Sequence, residues 1–141
     1  MEERQHLWAA FTSGGHAARS DFQPFIDAYP SLDSCSHLAN FVREIRFWEM
    51  SPAVNFVLSC DGVCYSLGSR EEFVVYIRTK KDGQIKLKMP QGDYRARWYD
   101  PVKGDFLNNT ETATGEAISL NFPKTVTDVV LYLRKSAVDS Q

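Results

Sequence analysis

The feature that most constrains this chain is a change of hydrophobic period at Pro52. Upstream, from Glu2 to Phe47, apolar residues recur at intervals of three and four: Leu7, Ala10 and Phe11 in one stretch, Leu38, Phe41, Val42 and Ile45 in another. That spacing lines one side of an α-helix. Ser31, Asp33 and Ser34 offer caps before the second stretch, and Pro52 lies beyond its end. Between them "SGGHAARSDFQPF" reads as a loop or short strand, with Gly14-Gly15-His16 as a chain turn.

Downstream the period falls to two. Alternating runs at Phe73 to Arg78, Ile85 to Met89, Tyr94 to Tyr99, Ile118 to Phe122 and Val129 to Arg134 are separated by turns such as Lys81-Asp82-Gly83 and Gln91-Gly92-Asp93. Asp61-Gly62 predicts a two-residue hairpin in which Cys60 faces Val63, Leu58 faces Tyr65 and Phe56 faces Leu67. The fold class that follows is mainly β: an antiparallel β-sandwich of about seven to eight strands preceded by two or three α-helices, α+β overall. The expected organisation is a helical segment at 1–52, a sandwich at 53–136 and a flexible tail at 137–141. The polar stretch 108–115, "NNTETATG", is expected to be mobile.

A chain of 141 residues is one domain long and buries enough surface to fold without staples. Sixteen Lys and Arg against eighteen Asp and Glu provide no positive field for phosphate backbones or anionic lipid, so neither nucleic acid nor membrane is an expected partner. No run approaches the roughly eighteen apolar residues of a membrane span, and the start has no signal-peptide pattern. A cytoplasmic location follows for the chain as it stands, an extracellular or periplasmic one if it belongs to a longer secreted enzyme. Cys35, Cys60 and Cys64 form an odd set without framework spacing, which predicts free, buried thiols. His6, His16 and His37 are scattered and no Cys-x-x-Cys occurs, so no metal site is expected. Phosphate loops, dinucleotide fingerprints and nucleophile elbows are missing too, and no cofactor is expected.

The stretch "DYRARWYDPVKGDF", Asp93 to Phe106, is the richest in chemistry. Strand alternation puts Tyr94, Ala96 and Trp98 on one face and Arg95, Arg97 and Tyr99 on the other. Two arginines are rarely buried together, so Trp98 is assigned to the core. Arg95, Arg97 and Tyr99 are then the candidate ligand-binding surface, where an aromatic ring can stack on a sugar. Asp100 and Pro101 begin a turn that Gly104 completes with a positive φ. Lys80, Lys81, Lys86 and Lys88 would join Arg95 and Arg97 in a basic stripe if their strands are neighbours. The carboxylates Glu49, Glu71, Glu72, Asp100 and Asp105 carry no spacing that pairs them across a glycosidic bond.

The run "FVVYIRTKKDGQIKLKMPQGDYRARWYDPVKGDF", with "VVLYLRK" behind it, resembles the so-called collagen-binding domain that closes a group of bacterial glycoside hydrolases with apiosidase-like TIM-barrel catalytic domains. The family's mark, an arginine or alanine before W-Y-(D/N)-P-x-x-G, falls on Arg97, Trp98, Tyr99, Asp100, Pro101 and Gly104. "LWAAFTSGGHAARSDFQPF" and "HLANFVREIRFWEMSP" resemble the end of the barrel and its last helix. In such barrels the catalytic carboxylates lie on upstream strand ends. The resemblance therefore implies a non-catalytic accessory module with a structural or carbohydrate-associating role. The alternatives are a fragment or subunit of a polysaccharide-degrading glycoside hydrolase and a protein-binding, collagen-binding-like module. Without the rest of a barrel, Trp8, Phe11, Phe22, Phe25 and Phe41 must bury against the sandwich, against another copy or a barrel-bearing chain, or stay exposed. Association through the N-terminal helices is the corresponding expectation.

Overall fold

A computed structural model of the chain describes residues 3–13, 30–52, 56–79, 82–114, 116–124 and 127–136. Among the described residues, two helices, α1 (Glu3–Thr12) and α2 (Pro30–Arg43), and a 3-10 turn at Phe47–Glu49 precede the strands. These are β1 (Ser51–Pro52), β2 (Val57–Cys60), β3 (Val63–Gly68), β4 (Glu72–Arg78), β5 (Gln84–Lys88), β6 (Asp93–Asp100), β7 (Asp105–Thr114), β8 (Ala117–Asn121) and β9 (Asp128–Lys135). The helix that Ser31, Asp33 and Ser34 were expected to cap begins at Pro30, so all three positions fall inside it. A proline suits that first position, where its missing N–H is no loss.

The strands form a six-stranded sheet, ordered β1-β3-β4-β9-β6-β7, and a three-stranded sheet, β2-β5-β8, with every pairing antiparallel. The expected helix-preceded antiparallel sandwich is the fold. A third layer decides its chemistry. The inner face of the large sheet packs Phe73, Val75, Ile77, Tyr94, Ala96, Trp98, Val129, Leu131 and Leu133 against Ile85, Leu87, Ile118 and Leu120 of the small one. Its outer face, through Val74, Tyr76, Tyr99, Val130 and Tyr132, packs against Trp8, Phe41 and Ile45 of the helical segment. Covered on both sides, β4 and β9 are buried along nearly their whole length. Hence "FVVYI" and "VVLYL" are unbroken apolar runs, while β5 and β8, covered on one side, alternate buried and exposed. Of the aromatics that a missing barrel would leave unpartnered, Trp8 and Phe41 are buried against the sheet and Phe11 packs at its edge. Phe22 and Phe25, like His16, lie outside the described residues.

Several expectations are corrected. Cys60 does not face Val63 in a hairpin: β2 pairs with β5 and β3 with β4, so Asp61-Gly62 carries the chain from one sheet to the other. The partners of Tyr65 and Leu67 are Tyr76 and Val74, and Leu58 and Val63 are left exposed. Pairing with the apolar β4 buries more surface than a two-stranded ribbon can, which overrides the local turn signal. Asp61 Oδ2 accepts the N–H of Gln84 at 2.9 Å. Gly62 is required by close approach, since a Cβ there would stand 2.5 Å from the Arg78 carbonyl oxygen. Cys60 and Cys64, expected as free thiols, are joined in a disulfide with their Cα atoms 6.8 Å apart, and it ties the two sheets together where the chain crosses.

The supposed mobile stretch from Asn108 is strand β7, paired with β6 from Asp105 to Thr114. Threonines favour extended backbone, and a polar strand suits an edge position, which explains a composition that looks loop-like. The basic stripe does not form either. Lys86 and Lys88 sit on the outer side of the small sheet and Arg95 and Arg97 in the large one; Lys80 and Lys81 lie outside the described residues.

Candidate functional site

The β6–β7 hairpin carries the motif, and each of its faces meets a different layer. Trp98 is buried between the sheets as expected, with 1% of its surface exposed. Tyr99 is not the accessible ring foreseen for it: only 3% is exposed, because the helices cover the face on which it stands. Strand parity correctly set Tyr99 opposite Trp98 but could not reveal that both faces are covered. The Tyr99 ring lies 5.0 Å from Phe41, 5.0 Å from Phe106 and 5.7 Å from Trp8, centroid to centroid. Its hydroxyl donates to the His37 carbonyl at 3.1 Å. Burial, reinforced by the nearby Asp105, Glu44 and Asp100 carboxylates, pushes its pKa up to about 12.

The turn is built as the residues suggest. Asp100 Oδ1 accepts the N–H groups of Val102 at 2.9 Å and Lys103 at 3.2 Å, and the Gly104 N–H donates to the Asp100 carbonyl at 2.8 Å. Gly104 has φ +79°, and a side chain there would also collide with the His37 ring. His37 Nδ1 lies 3.3 Å from the Pro101 carbonyl oxygen, so α2 rests directly on the turn. The W-Y-D-P-x-x-G motif thus forms a joint between sandwich and helices. Arg97 lays its guanidinium 3.8 Å over the Phe106 ring, whereas Arg95 is exposed.

Two buried carboxylates strengthen the same layer. Asp128 accepts Arg4 Nε at 3.0 Å and Arg4 Nη2 at 2.9 Å, the Tyr76 hydroxyl at 2.7 Å and the Thr127 hydroxyl at 2.6 Å. Glu72 accepts the Tyr132 hydroxyl in a short hydrogen bond and the Arg46 backbone N–H at 3.2 Å. Burial first, then the carboxylate partners, raises both tyrosines far above their ordinary pKa. These acids hold neutral hydroxyls and a cation, which is the pattern of a structural seat.

Concave surfaces open elsewhere among the described residues, two of them notable. The larger, about 550 Å³, lies where edge strands β7 and β8 flank the open side of the sandwich. Trp98 and Phe122 reach its lining only at their margins, packed edge to face with centroids 6.4 Å apart. Asn108, Thr110 and Glu111 line it from β7, and Asn121 and Pro123 from the end of β8 and beyond. Glu111 Oε2 accepts the Trp98 Nε1–H at 2.9 Å. The smaller, about 330 Å³, is lined by Arg46, Glu49, Ser69, Arg70 and Glu71. Beside Arg46 and Glu49 in sequence, Phe47 and Trp48 are 39% and 68% exposed and touch edge to face at 5.5 Å. Sequence reading missed Asn108, Thr110 and Glu111 because their segment was read as loop; the alternation of "TETAT" was the available signal. Among the described residues no three His, Cys, Asp or Glu gather to hold a metal ion, and no described helix is long and apolar enough to cross a membrane.

Fold and joint together define a helix-backed antiparallel β-sandwich. No family model matches the sequence, and no curated protein does. Among solved structures, one described as a glycoside hydrolase matches with a TM-score of 0.74 and 13% identity, over 99% of this chain and 38% of that one. A glycoside hydrolase family 5 structure from Bacteroides vulgatus matches with a TM-score of 0.71 and 15% identity, over 97% of this chain and 36% of that one. At such identities the likeness is one of fold. The chain spans little more than a third of these neighbours' length, and what it shares with that part of them is its fold.

Proposed function

We propose that this chain is a non-catalytic accessory module of the glycoside hydrolase type, which supports its neighbours structurally and associates with carbohydrate. The observation that carries the reading is the likeness of helices and sandwich, as one unit, to about a third of larger glycoside hydrolase chains. The test is turnover of polysaccharides by the isolated chain. None is expected, and activity abolished by substituting a single carboxylate would overturn the reading. The resemblance to collagen-binding-type domains stays a matter of the motif alone.

The second reading, a subunit completed by a barrel-bearing chain, is favoured by the exposed Phe47 and Trp48, an apolar pair of the kind a partner covers. It would make Trp48→Ala weaken association with such a chain, measured by co-sedimentation. The Cys60–Cys64 disulfide favours an oxidising compartment, extracellular or periplasmic. Two fewer hydrogens in the mass of the unreduced protein purified from its source would agree with that location. A fully reduced protein would oppose it.

A further inference from the structure

We propose that the cleft between β7 and β8 is the carbohydrate-binding site of this module and that it selects neutral over acidic glycans. This rests on the carbohydrate-associating role proposed above and adds to it a place and a ligand class. The volume of about 550 Å³ lies within the roughly 300–1,000 Å³ typical of ligand clefts. Its lining suits a polyol. Asn108 and Asn121 each offer two N–H donors and a carbonyl acceptor, Thr110 adds a hydroxyl, and all three side chains are solvent-exposed. Vicinal sugar hydroxyls, which donate and accept at once, match such a mixed set.

Glu111 sets the charge preference. It is the one ionisable residue among the described residues lining the cleft, and it is half-buried. The Trp98 indole N–H occupies one side of its Oε2 and fixes the carboxylate, leaving its remaining lone pairs to accept sugar hydroxyls. The same negative charge repels a uronate carboxylate brought into the cleft. Trp98 acts as a positioning residue: its ring is almost fully buried, so it presents no face for stacking and instead holds Glu111.

The experiment is calorimetric titration of the whole chain with cellohexaose, xylohexaose, mannohexaose and hexagalacturonate. At least one neutral hexasaccharide is expected to bind and hexagalacturonate to bind more weakly. Asn121→Ala and Thr110→Val, both at exposed positions, are each expected to weaken neutral binding by about tenfold, the order of one or two lost hydrogen bonds. Lys86→Ala on the far side of the small sheet serves as the control and is expected to leave it unchanged. Glu111→Gln keeps the shape and removes the charge, so it is expected to bring the acidic hexamer's affinity toward that of the neutral one. A shift in that ratio is something a purely structural role would not produce. Neutral binding that neither Asn121→Ala nor Thr110→Val alters would overturn the site while leaving the carbohydrate reading intact. Equal binding of neutral and acidic hexamers by the unaltered chain would overturn the ligand class. Failure of every glycan to bind would overturn both the site and the role beneath it.

Discussion

The two faces of the six-stranded sheet are held in different ways. Toward the small sheet the contact is apolar, with Phe73, Val75, Ile77, Leu131 and Leu133 meeting Ile85, Leu87 and Ile118. Toward the helices it is aromatic and polar: Arg4 pairs with Asp128, the Arg46 backbone N–H with Glu72 and the Tyr99 hydroxyl with the His37 carbonyl, while Tyr76 and Tyr132 hold the two carboxylates from within the sheet. Apolar burial favours contact without dictating direction. Hydrogen bonds between buried groups add orientation, because a misplaced helix leaves desolvated charges unpaired. The inner face therefore supplies most of the cohesion and the outer face fixes where the helices sit.

The largest break is expected at Asp128. Removing its carboxylate in Asp128→Ala leaves Arg4 and the Tyr76 hydroxyl without it in a buried setting and should cost roughly 3–5 kcal/mol in urea unfolding. On the other face, Leu131→Ala opens a cavity among aliphatic neighbours and should cost about 3 kcal/mol, with no change in helical content by circular dichroism. Reducing the Cys60–Cys64 disulfide releases only a short loop, so a loss of about 2 kcal/mol is expected on adding a reductant, and no shift at all would speak against the cross-link. Tyr99→Phe removes one hydrogen bond and keeps the ring, for about 1 kcal/mol.

Tyr99 also makes the outer face sensitive to pH. Its folded-state pKa is raised from the ordinary 10.0 to about 12, so the folded state holds the proton more tightly than the unfolded chain does. Its contribution is fully present below pH 10 and is lost as pH rises toward 12. Tyr76 and Tyr132 shift in the same direction. The unfolding midpoint should thus fall above pH 10, less steeply in Tyr99→Phe, while a variant confined to the inner face such as Leu131→Ala keeps the wild-type slope.

The same comparison shows what was legible in the sequence. Period two gave the positions of β4, β5, β6, β8 and β9 to within a residue or two, because their side chains alternate or run apolar according to burial. Trp98 belongs to the core by the same alternation together with the cost of burying Arg95 and Arg97 on one face. Tyr99 was misplaced because alternation reports which residues share a face, and coverage of that face is a tertiary fact. The clue was present in "FVVYI" and "VVLYL": strands apolar on both sides need two covering layers. Asp61-Gly62 misled for a related reason, since a local turn preference is worth less than the burial gained by pairing β3 with β4. The cleft was illegible because Asn108, Thr110, Glu111 and Asn121 come together only through the packing of two edge strands from different sheets.

The outer-face contacts, with the W-Y-D-P-x-x-G joint among them, are expected to bind helices and sandwich into one cooperative unit. Native-state hydrogen exchange followed by mass spectrometry tests it most directly. Peptides from α1 and α2 are expected to be protected to nearly the same opening free energy as those from β4 and β9, and to lose that protection together in Asp128→Ala. Helical peptides that exchange freely while β4 and β9 stay protected in the unaltered protein would contradict it.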